Sequence, residues 1–227
     1  TAYTLAFGSL LLLGGRIGDF VGRKKVLIYS LIGFAGASAF GGIANNQGEL
    51  FAARTLQGVF GAALAPAALA IISVTFTDPK ERARAFGVIG AISAGGAAIG
   101  LITGGILTQY FSWRWCLGVN VPISIVAALL ASKFLHESKA SGEHGYDLPS
   151  VLTATGGLFA LVYGFSRAAS HGWGNKTTLS FFAISAILLL AFIQVERRSH
   201  FPLVPVHVVA ERNRGGSYIG MLIVGAG

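Results

Sequence analysis

The sequence predicts an all-α polytopic membrane protein, because of its composition and because charged residues alternate with long apolar stretches. Of its 227 residues, 53% are hydrophobic and 11% are charged, whereas soluble domains carry roughly 25% charged residues. The mean hydropathy of +0.68 leaves too few polar side chains to cover a water-soluble surface. Since a bilayer offers the backbone no hydrogen-bond partners, the apolar stretches that cross it are expected to be helices.

Eight apolar stretches are candidates for these helices, since a helix needs roughly 20 mainly apolar residues to cross a bilayer. They cover residues 1–14, 26–44, 50–77, 84–110, 115–135, 147–167, 178–196 and 215–227. The first and last are too short to cross, and both ends of the chain look cut. We therefore expect a truncated helical bundle of about eight spans, six of them complete, from a longer polypeptide.

The placement of Lys and Arg predicts the orientation of the spans. Of the 17 Lys and Arg residues, 13 fall in one set of alternate loops and three in the other, and Arg54 lies inside a span. Loops rich in these residues stay in the cytoplasm. In a multi-pass protein of the cell membrane, the cytoplasmic loops are then 15–25, 78–84, 133–146 and 197–214. The net charge of +8 falls in short clusters between spans, so lipid head groups, and not nucleic acid, are the expected neighbours.

The sequence gives little support for a metal site or for the catalytic site of a soluble enzyme. The stretch GGRIGDFVGRKK at 14–25 lacks the spacing of a phosphate-binding P-loop and lies between two spans, not between a strand and a helix. The five histidines and the single cysteine show no metal-ligand spacing. We therefore expect no metal, no cofactor and no enzymatic activity.

Arg54 is the one clear charge inside a span, where a charge is costly and usually functional. Gln57 and Gly58 follow it on the same helix face. From spacing alone, a functional role and a side chain that reaches back to the membrane interface are equally good interpretations.

The fourth span is rich in glycine, with Gly96, Gly100 and Gly104 at intervals of four residues. This spacing is typical of helices that pack closely in lipid, and generic packing is the favoured interpretation. A bending element is the alternative.

Together these stretches resemble the major facilitator superfamily, and within it the 14-span drug:proton antiporters of the EmrB/QacA type. GGRIGDFVGRKKVL is similar to that family's signature in the loop between helices two and three, and LFAARTLQGVFGAA to its helix-four signature. FGVIGAISAGGAAIGLITGGIL is similar to the antiporter signature of helix five, and WRWCLGVNVP to the start of helix six. The corresponding residues are Gly15, Asp19, Gly22, Arg23 and Lys24; Arg54, Gln57 and Gly58; Gly87, Gly96, Gly100, Gly104 and Gly105; and Trp113, Arg114, Trp115, Asn120 and Pro122. Three positions depart from the signatures: Ile17 stands for a leucine, Phe20 replaces a basic residue, and Leu101 replaces a proline.

The resemblance implies a domain layout for a piece that runs from about helix two to helix nine. Residues 1–135 would hold helices two to six of the N-terminal six-helix bundle, and 136–146 would form a cytoplasmic linker. Residues 147–196 would hold the two extra central helices of the 14-span branch. Residues 197–214 would form a cytoplasmic loop, and 215–227 would begin the C-terminal bundle.

The resemblance also implies multidrug efflux by secondary active transport. Lipophilic or cationic compounds would leave the cell in exchange for protons while two bundles rock around a midplane cavity. Asp19 would latch the cytoplasmic side through a helix end or a cation of the other half. Arg54 would assist proton or substrate coupling, and the glycine helix would supply a pliable interface. The partners would be the lipid bilayer, a small-molecule substrate and protons, with the proton gradient as the energy source.

Two alternatives stay open: a transporter of the same fold for another small solute (a siderophore, amino acid, sugar or lipid), and a non-transporting membrane subunit. All nine carboxylates lie in loops or at span ends. The protonatable acid that an antiporter needs is therefore expected outside this stretch of chain, and an acidic residue in helix one is the candidate in the 14-span branch.

Overall fold

The computed structural model describes residues 2–139 and 148–199, which form helices and their connections without any strand. The helices are α1 Ala2–Val21, α2 Arg23–Gly42, α3 Gln47–Thr75, α4 Pro79–Tyr110, α5 Trp113–Gly118, α6 Asn120–Phe134, α7 Leu148–His171 and α8 Lys176–Glu196. With α5 and α6 counted as one segment, seven helices in this part of the chain are long and apolar enough to cross a membrane. The predicted all-α membrane class is confirmed. The chain divides into two compact units, Thr1–Gly142 and Glu143–Gly227.

The centre of the first unit is α3, because both α1 and α2 pack along it. Helix α1 approaches α3 closely at two glycines. A Cβ at Gly58 would lie 2.5 Å from the Tyr3 carbonyl oxygen and 2.8 Å from the Ala6 Cβ, and a Cβ at Gly14 would overlap the backbone of Ala62. Small residues therefore set the spacing between these helices, as is usual in lipid.

Polar side chains fix the starts of α3 and α4. The Asn46 side chain accepts a hydrogen bond of 2.9 Å from the Glu49 amide, and the Glu49 carboxylate accepts one of 2.7 Å from the Asn45 amide. This reciprocal arrangement satisfies amides that have no partner inside the helix. The Asp78 side chain caps α4 by accepting hydrogen bonds from two amides of its first turn, those of Lys80 and Glu81, and Pro79 at the first position has no N–H to satisfy.

Helix α4 is the least packed helix of the first unit. It runs for 32 residues, none of which is buried. Its main contacts are with α3 and α5, its neighbours along the chain. Within the described residues, the long sides of α4 are therefore open to lipid or to further helices.

The segment predicted as one span over 115–135 contains a break between α5 and α6. Pro122 lies four residues after Gly118 and has no N–H to offer the Gly118 carbonyl, so the hydrogen-bond ladder is interrupted there. Val119 between the two helices keeps helical dihedral angles, with φ −62° and ψ −25°. The segment therefore continues as one apolar stretch of 22 residues.

In the described residues of the second unit, α7 and α8 form a hairpin. The Ser185 hydroxyl donates a hydrogen bond of 2.9 Å to the Gly157 carbonyl oxygen between them. Near the turn, the rings of Phe165, Trp173 and Phe182 lie with centroids 5.2 to 6.1 Å apart. The predicted span 215–227 lies outside the described residues.

The prediction of a loop over 15–25 is wrong. Helix α1 continues through Val21 and α2 begins at Arg23, so Gly22 alone separates them. The charges in this stretch lower its hydropathy, but they do not end a helix, because Arg and Lys are good helix formers. For the same reason the first span is 20 residues long and not too short to cross.

Two other predicted loops are shorter than expected. The stretch 78–84 is helical from Pro79 onward, and 133–146 is helical through Phe134. Residues 140–146 and most of 197–214 lie outside the described residues.

Candidate functional site

Arg54 begins a short chain of polar side chains inside the first unit. Its Nη1 donates a hydrogen bond of 2.7 Å to the side-chain oxygen of Gln57, and Gln57 Nε2 donates one of 2.6 Å to the Ser38 hydroxyl. Gln57 and Ser38 have no exposed surface. Since a guanidinium can only donate, the amide must present its oxygen to Arg54 and its NH₂ to Ser38. These two hydrogen bonds therefore link α3 to α2 and fix the orientation of the Gln57 amide.

A ring from α1 completes the surroundings of Arg54. The guanidinium carbon lies 4.7 Å from the centroid of the Tyr3 ring, within the range of a cation–π interaction. Gly58, one turn along α3, admits the backbone of α1 at this level. Three helices therefore meet at one half-buried guanidinium.

The direction of the Arg54 side chain bears on the two interpretations that its spacing left open. Arg54 lies seven residues after Gln47, the first residue of α3, which is about 10 Å along the helix. Its hydrogen bond goes to Gln57, one turn further from that end. A side chain that reached back to the interface would point toward Gln47 instead. The geometry favours a role inside the protein.

Sequence reasoning missed Ser38 and Tyr3. Ser38 lies 19 residues before Gln57 on a different helix, so no helical spacing connects the two. A signal was present, because a serine inside an apolar helix needs a hydrogen-bond partner once it is buried. Tyr3 lies at the start of the chain, where the sequence alone gave no reason to place it beside Arg54.

The described carboxylates lie near helix ends and not in the middle of a helix. Each is in a connection or within a turn of a helix end: Asp19, Glu49, Asp78, Glu81, Glu137 and Glu196. In the same described residues, no group of three or more His, Cys, Asp or Glu side chains could hold a metal ion. Arg54, by contrast, lies about two turns inside its helix.

The loop-motif residues lie where α1 meets α2. The Asp19 carboxylate pairs with the Arg23 guanidinium at 2.8 Å, with 32% of the Asp19 side chain and 14% of the Arg23 side chain exposed. Lys24 Nζ donates a hydrogen bond of 2.8 Å to the Ser132 carbonyl oxygen near the end of α6. The structure therefore brings these three side chains together at one end of the first unit.

The two glycines of the loop motif have different surroundings. Gly22 adopts φ 120°, which only glycine adopts without strain, and it forms the junction between the two helices. Gly15 lies inside α1, where a Cβ would be 3.5 Å from the Cβ of Pro66 in α3. That distance is an ordinary contact, so Gly15 is not required by space alone.

The structure places the antiporter glycines on α4, where no other helix of the described residues approaches the position of a Cβ. A Cβ would meet nothing within 4 Å at any of them: Gly87, Gly96, Gly100, Gly104 and Gly105. The predicted close packing is therefore not made inside the first unit. It stays a prediction about other parts of the protein.

The predicted start of helix six is a structured corner. Ser112 caps α5, and Arg114 Nη2 donates a hydrogen bond of 2.8 Å to the Ala44 carbonyl oxygen after α2. The Arg114 guanidinium also lies 4.7 Å from the Trp113 ring centroid. Arg114 therefore fastens α5 to the end of α2.

The other members of the helix-six signature lie around the break in this segment. Asn120 Nδ2 donates a hydrogen bond of 3.5 Å to the Cys116 carbonyl oxygen, and Trp115 is exposed. Pro122 interrupts the helix, as described above. This part of the signature therefore shapes a helix corner.

Comparisons with known proteins show the family. The family model described as Major Facilitator Superfamily matches residues 1–226. The chain is 52% identical over 220 residues to the puromycin resistance protein pur8 of Streptomyces alboniger, which covers 96% of the chain and 43% of that protein. It is 38% identical over 228 residues to the cephamycin export protein CmcT of Amycolatopsis lactamdurans, which covers 99% of the chain and 47% of that protein.

A third relative, the tetracenomycin C resistance and export protein of Streptomyces glaucescens, is 31% identical over 205 residues, covering 90% of the chain and 38% of that protein. The chain thus spans less than half the length of these relatives. The family model matches almost the whole length of the chain, and several of its helices are able to cross a membrane. The chain is therefore part of a multi-pass membrane protein and belongs to the Major Facilitator Superfamily.

Proposed function

We propose that the protein that contains this chain exports antibiotic-like small molecules from the cell in exchange for protons, by alternating access. The observation that carries this proposal is the half-buried Arg54, which two other helices hold inside the first unit through Gln57, Ser38 and Tyr3. An ionisable group at this depth is costly and is retained where it serves a function. The relatives named above are resistance and export proteins, which supports drugs as the cargo.

Arg54 has the coupling role in this proposal. A guanidinium stays charged at any pH that a cell meets, so the proton itself must travel on another group. A carboxylate that faced Arg54 would be held ionised by it, and protonation of that carboxylate would release the pair. Because the described carboxylates lie at helix ends, this acid belongs to another part of the transporter.

The loop motif acts as the gate at the cytoplasmic end. The Asp19–Arg23 pair, with Lys24 bound to the end of α6, forms a compact charged surface at the junction of α1 and α2. In the state that is closed to the cytoplasm, Asp19 would bind a helix end or a cation of the other half. The exposed third of the Asp19 side chain leaves room for that contact.

The glycine residues of α4 supply an interface that moves during the transport cycle. The helix has no buried residue within the described part of the chain, so its small-residue face is free to pack against the other half and to slide on it. Trp113, Arg114 and Trp115 would anchor the opposite, outer end at the membrane interface. The loops rich in Lys and Arg then lie in the cytoplasm, and the protein resides in the cell membrane.

The test is an efflux assay on the complete transporter, in cells loaded with a panel of antibiotics, with and without an uncoupler of the proton gradient. Export that the uncoupler abolishes supports the proposal. Export of an unrelated solute, without export of any antibiotic, would mean that the proposed cargo is wrong. A protein that transports nothing on the panel in either direction would favour a non-transporting role.

A further inference from the structure

The residues that follow α6 return to the start of α2. The amides of Lys24 and Lys25 donate hydrogen bonds of 3.1 and 3.2 Å to the two oxygens of the Glu137 carboxylate. The amide of Arg23 donates one of 3.0 Å to the Ser138 carbonyl oxygen. The first amides of a helix have no partner within that helix. At α2 the partners come from a segment 113 residues further along the chain.

Gly22 makes room for this carboxylate. A Cβ at Gly22 would lie 2.6 Å from both Cδ and Oε1 of Glu137, much closer than unbonded atoms approach. Gly22 also adopts φ 120°, where a side chain is strained. Two separate requirements therefore call for glycine at this position, and one of them is the contact with Glu137.

The contact is reciprocal. While Glu137 places a negative charge at the start of α2, the Lys24 ammonium binds the Ser132 carbonyl oxygen in the last turn of α6. Anions stabilise the start of a helix and cations its end. Glu137 therefore stabilises the start of α2, and Lys24 stabilises the end of α6. The Ser138 amide donates a further hydrogen bond of 3.0 Å to Glu137 Oε1, so the same carboxylate also binds its own segment.

We propose that residues 135–139 form a strap over the start of α2, with Glu137 as its anchor. Arg23 connects the strap to the loop motif, because its amide donates to Ser138 of the strap while its guanidinium pairs with Asp19. Glu137 is therefore a positioning residue for the loop motif: it fixes where Arg23 and Asp19 lie and does not touch the substrate. The consequence for transport rests on the proposed function, whereas the strap itself does not.

Hydrogen exchange measured by mass spectrometry on the complete transporter in lipid nanodiscs tests the strap directly. In Glu137→Ala, the amides at the start of α2 should exchange about fivefold faster or more, because their cap is lost. Glu137→Gln keeps one acceptor oxygen and should give a smaller increase. Glu81→Ala, which removes a carboxylate from the first turn of α4, is the matched control and should leave α2 unchanged. Unchanged exchange in Glu137→Ala, with α3 still protected, would overturn the strap.

The role of Gly22 is tested by a pair of variants. Gly22→Ala should accelerate the same amides of α2, because the added methyl group displaces the carboxylate. Adding Glu137→Ala to Gly22→Ala should produce little further change, since the contact is already lost. Fully additive effects in the double variant would mean that the two residues act separately.

The positioning role is tested by transport kinetics. Glu137→Ala should lower the maximal efflux rate several-fold and leave the KM for the antibiotic unchanged. Faster exchange at α2 together with a normal efflux rate would overturn the positioning role. If Asp19→Asn and Arg54→Ala also export normally, the proposed function fails, while the exchange experiment still decides whether the strap exists.

Discussion

The side-chain nitrogen of Gln57 lies 2.6 Å from the Ser38 hydroxyl oxygen, and neither residue has any exposed surface. The other end of the same amide binds Arg54. Gln57 is thus held at both ends, and a buried chain of this kind rigidifies the groups that it joins. The position of the Arg54 guanidinium is therefore set from α2 as well as from its own helix.

Replacing Ser38 should destabilise the protein. In Ser38→Ala, the Gln57 NH₂ loses its partner at a site that water does not reach, at a cost of about 1–3 kcal/mol. The midpoint of thermal unfolding of the purified transporter in detergent should fall accordingly. Ser30→Ala, at another buried serine of α2, serves as the control and should have a smaller effect. Equal midpoints for the two variants would mean that the amide finds another partner.

Changes at Arg54 should uncouple transport from the proton gradient. Arg54→Ala removes the charge and the contact with the Tyr3 ring, so proton-driven efflux should stop while exchange of substrate across the membrane continues. Arg54→Lys keeps the charge and can still donate to Gln57, so part of the coupled rate should survive. Transport by reconstituted vesicles with and without an imposed pH gradient measures both. Normal coupled transport in both variants would contradict the coupling role and favour the interpretation that Arg54 only anchors the helix at the membrane interface.

Neutralising Asp19 should stop efflux without preventing insertion. Asp19→Asn keeps the size of the side chain but loses its ion pair with Arg23 and its proposed contact with the other half. Antibiotic resistance of cells, with the amount of protein in the membrane determined by immunoblot, measures the effect. Glu81→Gln, at a carboxylate in the first turn of α4, should leave resistance unchanged. Full resistance in Asp19→Asn would remove the latch role.

The sequence predicted the helices well and their ends poorly. Hydropathy identifies apolar runs, but a helix ends where its amides and carbonyls find other partners, and hydropathy does not record that. The junction at Gly22 shows this. The charges there predicted a loop over 15–25, whereas a single glycine in a positive-φ conformation suffices, because a distant carboxylate caps the next helix.

The candidate site could be predicted only in part for a related reason. Arg54, Gln57 and Gly58 follow one another at helical spacing, so the sequence alone groups them. Ser38 and Tyr3 belong to other helices, and only the packing of α1 and α2 on α3 brings them to the same place. A partner across a helix interface leaves no spacing for sequence reasoning to find.

A methyl group at Gly58 should separate α1 from α3. In Gly58→Ala, the Cβ would lie 2.5 Å from the Tyr3 carbonyl oxygen, and crowding of this kind typically costs about 1–3 kcal/mol. Gly87→Ala is the matched control, since its Cβ would meet nothing within 4 Å and alanine is the better helix former. Thermal unfolding should therefore show a lower midpoint for Gly58→Ala and an equal or higher one for Gly87→Ala. A Gly58→Ala protein as stable as Gly87→Ala would contradict the close approach of the two helices.

A large side chain on the glycine face of α4 should impair efflux although it contacts nothing in the first unit. Gly96, Gly100 and Gly104 share one face of the helix, and a Cβ added at any of them would meet no other atom of the described residues within 4 Å. If that face packs on the other half of the transporter, Gly100→Leu should lower efflux at least several-fold at equal membrane levels. Gly95→Leu adds the same side chain about 140° around the helix from the centre of this face and should be tolerated. Equal efflux in the two variants would mean that α4 meets lipid on this face, because only a packed helix distinguishes one side of α4 from the other.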